Sequence, residues 1–242
     1  MNKTNENVFP GWEYLFDDAG DALSSHKKQR ESKHRQRILK FENSHLLKGL
    51  EFEGPLEMPK ASPMCLDTVP EVYVPFNCLN AAHGSHVCVH FYIHDYLFKR
   101  IWGGLEEYLE RLARYDAVIA TDDSVFMDVP LVANLCSVYR NRLFTAVGQR
   151  MGVNVIPSFS CGNPRDIDIY CDGLPEGGCI AVGGMGTNRT HAQRSIFRYC
   201  VRAMCARKHP DMLLVYGSDV DLGLNVPVVH IPTFVEQLRK RA

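Results

Sequence analysis

Asp95, Asp122 and Asp123 each follow a short apolar run, in VHFYIHD (Val89 to Asp95) and AVIATDDS (Ala117 to Ser124). Carboxylates at the ends of buried strands can serve as acid and base when burial or a like charge raises one pKa. Asp122 and Asp123 are adjacent and point in opposite directions, so one of them faces a pocket. Turn formation and helix capping account for at least one of Asp122, Asp123 and Asp128. On the first run, His90, Tyr92 and His94 form a polar face opposite Val89, Phe91 and Ile93. Two histidines on one face could hold a metal if His83, His86 or another strand supplied a third ligand. Hydrogen-bonded histidines are the simpler reading, and neither a metal nor a cofactor is expected.

Other candidates sit at later positions. Gly183-Gly184-Met185-Gly186-Thr187 ends CIAVGGMGT just before a helix starting near Thr190. Such a glycine run bares backbone N–H groups, either to a phosphate at Arg189 and the helix start or to a planar base lying over it. A plain tight turn explains the same residues, and the spacing is neither a Walker loop nor G-x-G-x-x-G. Tyr139-Arg140-Asn141-Arg142 lies inside a helix, where two arginines two positions apart cannot share a face. Arg142 is therefore a candidate either for an ion pair anchoring the helix or for an anion in the pocket. MLLVYGSD (Met212 to Asp219) delivers a further carboxylate, Asp219. The exit of VNVIPSFS at Ser160 is expected to add little.

These groups need a scaffold that brings strand ends together. Short apolar runs alternating with helical spacing predict an α/β fold with a parallel sheet, and ligands of such folds bind at the carboxyl ends of the strands. Strands are expected at Val72 to Asn77 and at the five runs, with another at Pro227 to Ile231. Leu97 to Tyr115 has helical spacing broken or delayed by Gly103 and Gly104. A second helix starts at Asp128-Val129-Pro130 and closes at Gly152. Ile167 to Cys171 makes a short helix, Thr190 to Lys208 a long one ending before His209-Pro210, and a basic helix ends the chain. This order fits a (β/α) barrel-like sheet, closed or incomplete, over residues 63–242. Residues 1–62 are expected to form an N-terminal extension. Its segment Leu23 to Phe41 carries Lys27, Lys28, Arg30, Lys33, Arg35, Arg37 and Lys40 against one acid, Glu31. This arm is either a solvated charge run or a phosphate-backbone contact.

Composition narrows the function classes. With 242 residues, 45% hydrophobic and 23% charged, the chain is ordinary for a globular protein. Its formal net charge of −1 gives no global pull toward nucleic acid, so such binding requires a local patch. Nine scattered cysteines without a C-x-x-C pair predict reduced thiols in a cytoplasm. No segment approaches a membrane span, so no membrane partner is expected.

The stretch His90 to Gly217, with HFYIHDYLF, TDDSVFMDVP, VYRNR and VIPSFS, resembles an uncharacterised domain family of bacteria, archaea, phages and plasmids. More distantly, the layout is similar to tRNA-guanine transglycosylases and their DNA-directed relatives, which insert 7-deazaguanines. That resemblance implies a barrel in which Asp95 ends an early strand, Asp122 or Asp123 reads a base, and Ile180 to Gly186 forms a glycine floor. The chain departs from it at Asp95-Tyr96-Leu97-Phe98, in lacking the zinc-site cysteines, and in a last strand without a nucleophilic aspartate. Asp219 or Asp221 would have to supply that carboxylate. Three readings follow. One is a mobile-element enzyme acting on a nucleobase or nucleoside, with the arm holding nucleic acid and His90, His94, Asp123, Gly183, Gly184 and Arg142 lining the ligand. The second is a non-catalytic DNA- or RNA-binding accessory protein. The third is a hydrolase using His90 or His94 with Asp95.

Overall fold

The computed structural model describes residues 40–81, 86–187 and 189–241. The arm residues Lys27, Lys28, Arg30, Lys33, Arg35 and Arg37, together with His83, lie outside the described residues. From Lys40 onward the chain forms one contact unit. It starts with a 3-10 turn (Phe41–Leu46) and an antiparallel hairpin, β1 (Phe52–Glu53) and β2 (Met58–Pro59). Then follow β3 (Val72–Pro75), β4 (Val87–His90), α1 (Leu105–Leu112), β5 (Ala117–Ile119), α2 (Leu131–Arg150), β6 (Val155–Ile156) and β7 (Ser158–Phe159). The remainder is α3 (Ile167–Cys171), β8 (Cys179–Gly183), α4 (His191–Lys208), β9 (Met212–Tyr216), β10 (Val228–Ile231) and α5 (Phe234–Arg241). Among the described residues no helix is long and apolar enough to cross a membrane.

Two four-stranded ladders, β3-β4-β5-β6 and β7-β8-β9-β10, are parallel throughout. The expected α/β class with a parallel sheet is therefore present. The ladders meet in one apolar segment. Ile156 accepts from Ala120 N–H on one side, and Pro157 accepts from Ala181 N–H on the other. Proline has no N–H to continue a ladder, which is why the segment reads as two strands. No ladder joins β10 to β3 among the described residues. Instead α5 meets the β3 edge, where Gln237 Oε1 accepts from Tyr73 N–H at 3.3 Å.

Side-chain alternation divides the core in three. Tyr73, Cys88, Ile119, Ile156, Ala181, Leu214 and Ile231 form a central cluster drawn from both ladders. Opposite pleat positions pack outward, Val89 and Val118 against α1 and α2, and Ile180, Val182 and Leu213 against α3 and α4. Local chemistry sets the helix limits. α1 starts after Gly103-Gly104, with Leu105, Leu109 and Leu112 buried. Within α2, Gly148 lets the helix approach β6, because a Cβ there would lie 2.6 Å from Val155 Cγ2. Thr190 and Gln193 form a capping box on α4, and His209 ends it in the left-handed region at φ 44° before Pro210.

One expectation needs correction. The strand through Asp95 ends at His90, because Tyr92 N–H turns onto His90 Nδ1 (3.2 Å) and Ile93 N–H onto the Phe91 carbonyl (2.7 Å). His94 thereby leaves the sheet and is exposed, so His90, Tyr92 and His94 do not share one face. Residues 41–62 are tightly packed in places. Leu46 and Met58 are buried, while Glu53 accepts from Lys208 Nζ (2.8 and 2.9 Å) and from Gly173 N–H (2.7 Å).

Arg142 ties α2 to β7 and to the residues around the end of α3. It is 2% exposed, and its guanidinium donates to the carbonyls of Ser158 (3.0 Å), Tyr170 (2.7 Å) and Asp172 (2.9 Å) and to Asn141 Oδ1. Arg142→Lys cannot serve those diverging acceptors with one ammonium. The variant should lose about 3 kcal/mol of stability in denaturant titration, within the cost of unsatisfied buried polar groups. A loss below about 0.5 kcal/mol, the range of an ordinary surface substitution, would remove this role.

Candidate functional site

The β5 exit carries two carboxylates in two environments. Asp122 accepts from Ser160 Oγ at 2.7 Å, joining the exits of β5 and β7. Asp123 is only 8% exposed and faces α2 beside Thr121, Ser137 and Asn141, with Oδ2 unpartnered among the described residues. Asp95 heads a 3-10 turn and accepts from Ser124 N–H (3.1 Å) and Ser124 Oγ (2.8 Å), tying the β4 exit to the β5 exit.

Among the described residues Asp122 is the one carboxylate lining a cavity of about 440 Å³. Phe126, Met127, Phe159, Met185 and Phe197 give the cavity apolar walls, and Ser124, Ser160 and Gln193 contribute polar groups. Gly183 closes one side. A Cβ on Gly183 would lie 2.8 Å from Tyr92 Cε1 and 3.5 Å from Asp122 Oδ2, so the glycine allows both groups to approach the β8 exit. Tyr92 in turn stacks on Tyr216 at 4.8 Å, with His90 4.4 Å from Tyr216. Burial at this aromatic layer lowers the His90 pKa to about 3, which makes it a neutral ring.

Burial raises the Asp122 pKa from 3.8 to about 6; the Ser160 hydroxyl opposes this and the Asp95 charge adds to it. Asp123 rises to about 7, again chiefly through burial, with Thr121 and Arg140 opposing and Asp95 and Asp122 adding. The expected repulsion between Asp95 and the pair is thus present but secondary to desolvation. At neutral pH this part of the protein can exchange a proton.

The remaining candidates separate. Gly184 packs against Ser218, where a Cβ would lie 2.2 Å from Ser218 Cβ, and does not line the cavity. Asp219 is exposed and lies outside the cavity lining. Arg142, considered for a pocket anion, is instead occupied by the carbonyls described above, and it forms no ion pair with a carboxylate among the described residues. His90 is fully buried and His94 exposed, so they do not converge. Among the described residues no group of three or more His, Cys, Asp or Glu could hold a metal ion.

Sequence reasoning undervalued Ser160, which donates to Asp122, and missed Cys161 and Cys200. These two thiols line the cavity side by side; their mutual hydrogen bond pushes Cys161 up and draws Cys200 down. For Ser160 and Cys161 the exit of β7 was the available signal, but Cys200 comes from α4, and its pairing with Cys161 depends on how α4 lies over β7.

The family model described as "Domain of unknown function (DUF4417)" matches residues 50–228. The chain belongs to this family. The DUF4417 region contains every residue lining the cavity. Two similar proteins, each called "Gene 1 protein", come from Mycobacterium phages L5 and D29. The first is 31% identical over 209 residues, covering 83% of this chain and 89% of the relative. The second is 31% identical over 185 residues, covering 72% and 68%. No solved structure matches the chain significantly.

The buried Asp123 supplies a stability test. Its folded pKa lies above the ordinary value, so its favourable contribution is complete below about 3.8 and is lost as pH rises through about 7. Asp123→Asn should therefore raise the Tm at about pH 8 and change it little at about pH 4. Thermal melts at the two pH values check this, and a lower Tm at the higher pH would show that Arg140 outweighs burial.

Proposed function

We propose that this DUF4417 protein binds a nucleobase or nucleoside in the cavity at the exits of β5, β7 and β8. Asp122 carries the reading. Among the described residues it is the sole carboxylate lining a space of about 440 Å³ whose other walls are largely aromatic and apolar. Cavities of that order suit small planar ligands, which take stacking from Phe and Met walls and orientation from a few polar groups. An ionised Asp122 accepts from the paired N–H donors of a guanine-like edge, and a protonated one donates to a base nitrogen. Ser160 orients its carboxylate, and Asp95 positions the wall through Ser124.

The strand arrangement belongs to the same reading. We take β3 to β10 as an open (β/α) barrel on residues 63–242, supported by the sequential ladder order and the central cluster that both ladders share. Residues 1–62 are the extension, and its basic arm, residues 24–41, holds phosphates. In this scheme the acid–base group is Asp122 with Asp123 behind it. The exposed Asp219 is not a covalent nucleophile, so base recognition is retained from the transglycosylase resemblance and its covalent step is not.

Calorimetric titration with guanine, 7-deazaguanine and guanosine tests the site. Wild type should bind at least one of them, and Asp122→Asn should weaken binding about ten- to hundredfold, the worth of one charged hydrogen bond. Affinity for a guanine-type edge should rise with pH through about 6, where Asp122 ionises, and this dependence should vanish in the variant. Absence of binding by wild type, or equal affinity in Asp122→Asn, rejects the site. Guanine exchange into tRNA or DNA, measured separately, decides whether binding leads to reaction.

A further inference from the structure

The chain is balanced overall, with 27 Lys and Arg against 28 Asp and Glu, but α4 and its approach are not. Between Glu176 and Asp211 there is no acidic residue, whereas Arg189, Arg194, Arg198, Arg202, Arg207 and Lys208 all fall in that span. The last two are engaged, Arg207 with Asp168 and Lys208 with Glu53. The other four are exposed. Arg194, Arg198 and Arg202 recur at four-residue intervals and so stand in a row along one flank of α4. Arg189, Arg198 and Arg202 form no ion pair with a carboxylate among the described residues. Arg198 donates to the Asp221 carbonyl at 2.9 Å, while the Asp221 side chain is turned to Gly223 N–H. The nearby acids are Asp219 and Asp221, both exposed.

The same helix also forms a cavity wall. Gln193, Ile196, Phe197 and Cys200 line the cavity, and Met185, Phe126 and Met127 form an exposed apolar lip at its mouth. A cationic row beside an aromatic-walled cavity matches a strand of phosphates whose bases turn inward. We propose that Arg189, Arg194, Arg198 and Arg202 form a phosphate-binding ridge that holds a single-stranded nucleic acid while one of its bases occupies the cavity. The ridge needs only the surface of α4; the placement of a base rests on the function proposed above.

Fluorescence anisotropy of the full chain with labelled single-stranded DNA and RNA of one mixed sequence, across a salt series, tests the ridge. Arg198→Ala/Arg202→Ala should weaken binding at least about tenfold and reduce the log K against log salt slope by about 1.4, from two phosphate contacts on a single strand. Arg198→Lys/Arg202→Lys should keep the slope, and circular dichroism should report an unchanged fold in both. Guanosine affinity should be the same in all three proteins. No binding by wild type, an unchanged slope in the Ala variant, or an equal loss in the Lys variant would overturn the ridge. Loss of guanosine binding from wild type alone would reject the base site and leave the ridge standing. The stronger of the DNA and RNA arms identifies the polymer.

Discussion

The carbonyls at the ends of β5 and β7 and around α3 are buried where no ladder continues, and they must find donors there. α2 supplies them from two consecutive residues. Asn141 donates to the Thr121 carbonyl and Ser158 Oγ, and Arg142 donates to Ser158, Tyr170 and Asp172. A cation in such surroundings costs much unless every donor is used. Burial lowers the Arg142 pKa only to about 10, so it stays charged at neutral pH. Because Thr121 is one residue before Asp122 and Ser158 two residues before Ser160, this clamp sets where the site's two exits lie.

Close approach is the second requirement. Gly148 lets α2 sit on β6, and Gly183 lets the Tyr92 ring and Asp122 come up to the β8 exit. The two adjacent aspartates then diverge because a strand end points successive side chains oppositely. One faces an aromatic-walled cavity, and the other is wedged against α2. Both are desolvated, but only Asp122 is open to a ligand.

The family match spans the region that builds the cavity. The features that bound the cavity are therefore features of a DUF4417 domain as folded here. Its description assigns no chemistry, so the chemical argument rests on Asp122, Ser160 and the apolar walls.

The order of strands and helices was legible in the chain because each element carries its own local signal. Apolar runs end on polar residues, Gly103-Gly104 and Gly152 bound helices, and Thr190 with Pro210 delimits α4. The parallel sheet followed from those runs, and the polar residues that end them are where the cavity's Asp122 and Ser160 lie. Tertiary structure alone decided which of Asp122 and Asp123 meets the cavity, and it brought Ser160, Cys161 and Cys200 beside one another. It also turned Arg142 toward carbonyls and released His94 from the sheet. Those outcomes depend on ladder register, on where a strand leaves its ladder and on how a helix lies across it. Such relations join residues far apart in the chain, and no local pattern of residue types encodes them.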